Sequence, residues 1–165
     1  MSKSSSLTVR GTPIQPTSVS GPLVVHADSI LVQTDRRIEL VDITDTVMEL
    51  VRKCGIREGM VSLQSMHTTC AVIINEAQKA LHADITRVLE QMVDRDAEWM
   101  HNDPQHSDCD RMNADSHLRA MLLGHSILLQ ISGGEPVLGQ WQRVIVGEMD
   151  GPRARSIRVQ AMGVA

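Results

Sequence analysis

From Ser29 onward the chain alternates short apolar runs with stripes of helical spacing. Ile30-Leu31-Val32 and Ile38-Glu39-Leu40-Val41 flank the polar Thr34-Asp35-Arg36-Arg37, a pattern that predicts two strands joined by a hairpin turn. Asp42 to Asp45 offers helix caps, and Thr46 with Glu49 has the spacing of a capping box. Val47, Leu50, Val51 and Cys54 then recur at helical intervals until Gly55, which predicts a helix stopped by that glycine. Met60 to Ile74 is a long apolar stretch broken at Ser65 to Thr69. It reads as two strands, or one bent strand, with His67 at the break. Asn75 is placed to cap a second helix with an apolar stripe of Ala77, Leu81, Ile85, Val88, Leu89 and Met92.

Asp94 to Arg111 has no periodicity and holds many Asp, Asn and His, which marks a functional loop. Asn113 or Asp115 then opens a short helix, expected to turn Leu118, Met121 and Leu122 inward and to close at Gly124. Strands follow at Ser126 to Ile131, Val144 to Glu148 and Ser156 to Ala161, with a Gly133-Gly134 turn among them. The order ββαββα-loop-αβββ predicts a single compact α+β domain, with antiparallel or mixed sheets and about three helices. That domain spans residues 29–165. Residues 1–28 read as an N-terminal extension, because Ser, Thr, Gly and Pro dominate its first 22 positions without periodicity.

Composition narrows the function classes. The 165 residues suffice for one domain, 42% of them hydrophobic and 22% charged. A net charge of −4, with no Phe or Tyr, excludes the basic footprint and stacking platforms of a nucleic-acid binder. Cys54, Cys70 and Cys109 show no CxxC spacing, as expected of a reduced, cytoplasmic chain. No apolar run approaches the ~18 residues of a membrane span, and Met1 to Ser6 lacks a signal-peptide core.

The chemistry concentrates in the middle and last thirds. His67, His101, His106 and His117 each sit at an element end or in the polar loop, with hydroxyl, amide or carboxylate side chains close in sequence. Two readings stay open for them, ligands of a divalent metal such as zinc or hydrogen-bonded histidines without one, since no pair has a zinc-finger or HExxH register. His26, His82 and His125 read as surface or structural residues. Glu76 and Asp115 stand at helix starts, where a carboxylate serves the helix dipole or, if buried beside a histidine, acts as a general base. Arg153 and Arg155, two apart after a turn, either point the same way toward phosphate or form a solvated strand face with Arg158. Trp141 between Gln140 and Gln142 suits a core or a pocket wall. Neither GxxxxGK[ST] nor GxGxxG occurs.

Six motifs in order, His67-Thr68-Thr69, Ile74-Asn75-Glu76, His101-Asn102-Asp103, Asn113 to Leu118, Leu138 to Gln142 and Asp150 to Arg153, make the stretch from Ser29 to Gly163 resemble the YjbQ-like family. That family is associated with secondary thiamine-phosphate synthase activity. The resemblance implies a homotrimer with a metal-assisted site between subunits. The implied reaction joins a pyrimidine pyrophosphate to a thiazole phosphate and releases pyrophosphate. On the matching positions His67, His101 and His117 become metal ligands, Glu76 and Asp115 the acids, and Thr68, Gln142 and Arg155 substrate contacts. The chain departs from the family pattern at Gln140, where Thr is usual, at Lys79-Ala80 after Asn75-Glu76, and at Ser132. The alternative reading from another class is a non-catalytic trimer that binds a metal or a phosphorylated metabolite; a weaker one is a trimer whose histidines only hold subunits together.

Overall fold

The computed structural model describes residues 18–165. The expected segments largely appear: β1 (Leu23–Gln33), β2 (Glu39–Asp42), α1 (Thr44–Cys54), β3 (Glu58–Ser65), β4 (Cys70–Asn75), α2 (Lys79–Met92), α3 (Ala114–Leu123), β5 (Ser126–Ser132), β6 (Glu135–Pro136), β7 (Arg143–Glu148) and β8 (Ala154–Val164). Three helices and two antiparallel sheets make an α+β fold. One sheet has the order β1-β8-β3-β5-β6, the other β2-β7-β4. No helix among the described residues is long and apolar enough to cross a membrane.

The predicted hairpin is absent. β1 pairs with β8 in the first sheet, whereas β2 pairs with β7 in the second. Thr34 to Ile38 is therefore a crossover between layers, fixed by partners far along the chain. β1 also starts at Leu23, so residues 23–28, read as extension, are paired sheet; residues 1–17 of that extension lie outside the described residues. The apolar stretch from Met60 does divide at the expected break, and its halves β3 and β4 lie in different sheets.

Two buried clusters explain this layering. Val61, Leu63, Leu129, Ile157 and Val159 from the first sheet meet Val72, Val144 and Val146 from the second, with Val47 and Val51 of α1 closing one side. Behind the second sheet, Leu89 of α2 and Ala120 of α3 pack with Met149, Ile85 and Leu123. β7 is thus covered on both faces, which is why Val144 to Glu148 is buried without a break. Gly147 is tightly packed there: a Cβ would stand 3.3 Å from Leu123 Cδ1 and 3.1 Å from Met149 Cε, so the ends of those side chains would have to shift to admit one.

Helix ends follow local chemistry in part. Gly55 takes the left-handed conformation, φ 72°, and closes α1 as expected. At its start, Asp42 Oδ1 accepts from the Thr44 amide at 2.9 Å in place of the expected Thr46–Glu49 box. Gln78, not Asn75, caps α2, its Oε1 accepting from the Leu81 amide at 2.8 Å. The largest departure is α3. Its buried face is Asp115, Ser116, Arg119 and Ala120, while Met121 and Leu122 point outward.

Candidate functional site

The site forms where the chain crosses between sheets. After β3, Met66 to Thr69 passes the start of β8, and the Met66 amide donates to the Ser156 carbonyl at 3.1 Å. The Ser156 amide in turn donates to His67 Nε2 at 2.9 Å. A neutral His67 accepting through Nε2 carries its proton on Nδ1 and offers that N–H as a donor. At the end of β7, the Met149 amide donates to the Thr69 carbonyl at 3.1 Å, which draws Glu148, Met149 and Asp150 against the crossover. The start of α3 closes the other wall: Asn113 Nδ2 donates to Asp150 Oδ2 at 2.8 Å, and the Ala114 amide donates to Asn102 Oδ1 of the long loop at 3.0 Å.

Between these walls lies a cleft of about 350 Å³ that includes His67, Thr68, His117, Arg111, Arg153 and Arg155. Asp150 faces it too, gripped by Arg153 Nη2 at 2.9 Å and Arg37 Nη1 at 3.3 Å, with Arg111 Nη1 at 3.6 Å. Arg155 is 2% exposed and pairs with the fully buried Glu148. Burial is the largest single influence and opposes the Arg155 charge, but the hydrogen bond to Glu148 and the negative charges of Glu148 and its neighbours together outweigh it and raise the pKa. Three arginines on the wall face one lining carboxylate, Asp150, with Glu148 behind, so the cleft favours an anion.

His117 also borders a second, more apolar cleft of about 300 Å³, shared with Trp99, Met100, His101, Ala114 and Leu118. The His101 and His117 rings meet edge-on, centroids 5.0 Å apart. A larger hollow, about 790 Å³, is lined by residues of the long loop itself, from Arg95 to His106, with Met112, and holds neither His101 nor His117. Burial lowers the pKa of His117, aided by His101 and opposed by Asp150 and Asp115. Burial likewise lowers that of His67, aided by Arg155 and opposed by Glu148. Both imidazoles are therefore neutral at neutral pH.

That state fixes a pH dependence. The unfolded chain protonates its histidines near pH 6.5, the folded chain at lower pH. Stability is accordingly full above about pH 6.5 and is lost as pH falls through that value toward the folded pKa values. Melting temperature should drop between pH 7.5 and pH 5, less steeply in His117→Asn; an identical slope in that variant would rule His117 out as a contributor.

The structure sorts the sequence candidates. His67, Thr68, His117 and Arg155 line one cleft, and His101 stands beside it. Asp115 is 0% exposed with both oxygens engaged, one by Arg37 Nη2 at 3.0 Å and the other by Arg119 Nη1 at 3.0 Å, so it anchors α3 and is not a free base. Glu76 is exposed at the other end of β4. Gln142 is exposed there as well, its Oε1 accepting from the Gly139 amide at 2.7 Å. Cys70 pairs with Glu148 and Asn75 with Arg143, so at about 3.3 Å per residue these two ends of the sheet stand roughly 17 Å apart.

The expected three-histidine metal set does not form within one chain. Among the described residues no three His, Cys, Asp or Glu side chains gather at a spacing that could hold a metal ion. His67 is already committed to the Ser156 amide, which a metal on Nδ1 would oblige it to meet with a second N–H. Sequence reasoning also passed over Arg37, Arg111 and Glu148. A lone acid at the end of an apolar run, as Glu148 is after Val144 to Gly147, was the available signal of a buried ion pair.

Comparison with known proteins gives one consistent result. A family model described as UPF0047 protein YjbQ-like matches residues 28–164. A UPF0047 protein of Methanothermobacter thermautotrophicus is 42% identical over 139 residues, covering 84% of this chain and 93% of that protein. Among solved structures, a YbjQ-like protein of unknown function from Sulfolobus solfataricus superposes with a TM-score of 0.80 at 36% identity, over 86% of this chain and 99% of that one. A hypothetical protein from Aeropyrum pernix gives 0.76 at 33% identity, over 84% and 98%.

Proposed function

This chain belongs to the YjbQ-like UPF0047 family, and from that premise we propose that the cleft between the β3–β4 crossover and α3 binds the phosphoryl or pyrophosphoryl group of a small metabolite and catalyses transfer at the neighbouring bond. The observation that carries this reading is the arginine wall beside two histidines held neutral. Arg111, Arg153 and Arg155 supply charge and donors for phosphate oxygens, as an anion that gains charge on leaving requires. His67 adds an N–H donor. His117, neutral and at the junction of the two clefts, takes or returns a proton. The apolar cleft beside it suits the organic part of the substrate. Thiamine-phosphate formation from a pyrimidine pyrophosphate and a thiazole phosphate, the reaction implied by the resemblance, is the specific case we propose.

The remaining motif residues support a homotrimer. Glu76, Gln142 and Trp141, 66% exposed, occupy the sheet end away from the cleft. The outer face of the five-stranded sheet carries exposed Val25, Met60, Leu128 and Met162 among Ser62, Gln130 and Gln160, a composition suited to a subunit contact. Assembly that sets the far end of one copy against the cleft of the next unites all six motifs. A metal fits only with ligands from a second copy, for which the buried Nε2 of His101 beside His117, without a partner among the described residues, is the supporting feature.

The test supplies both phosphorylated precursors to purified protein and measures thiamine phosphate by conversion to fluorescent thiochrome. Turnover is expected, falling about 100-fold or more in His117→Asn as for a lost acid–base group. Tight binding without product would favour the non-catalytic reading, and absence of both would overturn the proposal. Metal content and oligomer mass, measured on the same preparation and on His101→Ala, decide the metal and the trimer.

A further inference from the structure

We infer that Glu148, which no ligand can reach, is the positioning residue that presents Arg155, Asp150 and Arg153 to the cleft; this rests on the anion-binding reading above. Glu148 is 0% exposed at the end of a strand otherwise buried and apolar. A carboxylate there is tolerated only if its lone pairs are met, and they are. Oε2 accepts from Arg155 Nε at 2.5 Å and from the Thr34 hydroxyl at 3.1 Å. Oε1 accepts from Arg155 Nη2 and from the Asp150 amide at 2.8 Å. With both oxygens filled and no path to solvent, Glu148 can neither touch a substrate nor exchange a proton with one.

Its geometry serves a different end. Gripping Nε and Nη2 together fixes the plane of the guanidinium. Thr69 Oγ1 takes a further bond from Nη2 at 3.0 Å. Among the described residues this leaves Nη1 as the one nitrogen of Arg155 without a partner, available to an anion in the cleft that Arg155 lines. The bond to the Asp150 amide holds the turn that carries Asp150. Thr34, against Glu148, accepts from the Arg153 amide at 2.9 Å and so places the third cleft residue. One hidden carboxylate thereby sets the direction of a cation, the site of an anion and the backbone of a second cation.

A clamp between sheets would use the same ion pair, since Glu148 ends β7 and Arg155 begins β8. The two roles separate in phosphate binding. The probe is inorganic phosphate, titrated into the full-length protein by calorimetry. Wild type should bind it, and Glu148→Gln should bind at least 10-fold more weakly although Arg155 is intact. Glu148→Asp keeps the charge but draws the carboxylate back from Nε and Nη2 by one methylene, and should weaken binding likewise, with a smaller loss of melting temperature than Arg155→Met because the charges still face each other. Should Glu148→Gln fail to fold, Glu148→Asp carries the comparison. Guanidinium ion, below denaturing concentration, should restore phosphate binding to Arg155→Ala but not to Glu148→Gln/Arg155→Ala, a difference a clamp does not produce. Wild-type affinity in Glu148→Asp, or equal rescue of both variants, overturns the inference. No phosphate binding by wild type would instead overturn the anion reading beneath it.

Discussion

Arg155→Met should lower the stability of the protein by about 3–5 kcal/mol, the usual cost of leaving one half of a buried ion pair behind. The mechanism is desolvation. Glu148 would keep its charge inside the protein with the Thr34 hydroxyl and the Asp150 amide as its remaining donors. Methionine replaces the aliphatic stem of arginine and its apolar contacts, though not the guanidinium, so lost packing is the smaller part of the effect. Unfolding in urea measures it directly. In thermal terms the loss corresponds to roughly 6–20 °C at 2–4 °C per kcal/mol for a domain of this size. Arg155→Met/Glu148→Leu should recover most of it, because the double variant buries no unpaired charge. A single variant within 1 kcal/mol of wild type would mean that water reaches the pair.

Asp115→Ala should cost a comparable amount, again about 3–5 kcal/mol, since two guanidiniums lose their shared carboxylate. Arg119 is the more demanding partner: it is 3% exposed, and among the described residues its other acceptor is the Val93 carbonyl at 2.7 Å. Arg37 retains Asp150 and stands partly in solvent, so its share is the smaller one. The same change should disturb the cleft, because Asp115 lies on the first turn of the helix that presents His117. Asp115→Asn, which keeps the shape and one acceptor, should fall between Ala and wild type. If urea midpoints for all three coincide, the carboxylate does not hold α3 in place.

The same residues show which features were legible in the sequence. Gly55 and the break at Ser65 to Thr69 were readable because their causes are local, a positive φ and a run of polar residues. The pairing of β1 was not, since its partner β8 lies at the other end of the chain and the nearer β2 has the same alternation. For α3, periodicity misled: Asp115, Ser116 and Arg119 look like a solvent face, yet they satisfy one another and neighbouring groups inside, and the apolar Met121 is 61% exposed. In the site, His67, His117 and Arg155 were singled out by residue type and position and Thr68 through the family resemblance, and the fold brings the four to one cleft. Glu76 and Gln142 share the motif order but belong to the opposite end of a strand pair, a separation that no sequence interval reveals. The family itself was legible from those motifs, and the match across residues 28–164 bears it out.

The placement of β8 between β1 and β3 has a kinetic consequence. Leu23 finds its partner only at Val164, and Glu58 does so at the same residue. Neither β1 nor that side of β3 can gain sheet bonds until residues 154–164 have arrived, so each must pay its loop-closure entropy before any contact rewards it. Such long-range pairing places refolding toward the slow end for domains, on the order of milliseconds to seconds or longer. During that interval the unpaired edges of β1 and β3 are open to other chains, and dilution should raise the yield of refolded protein.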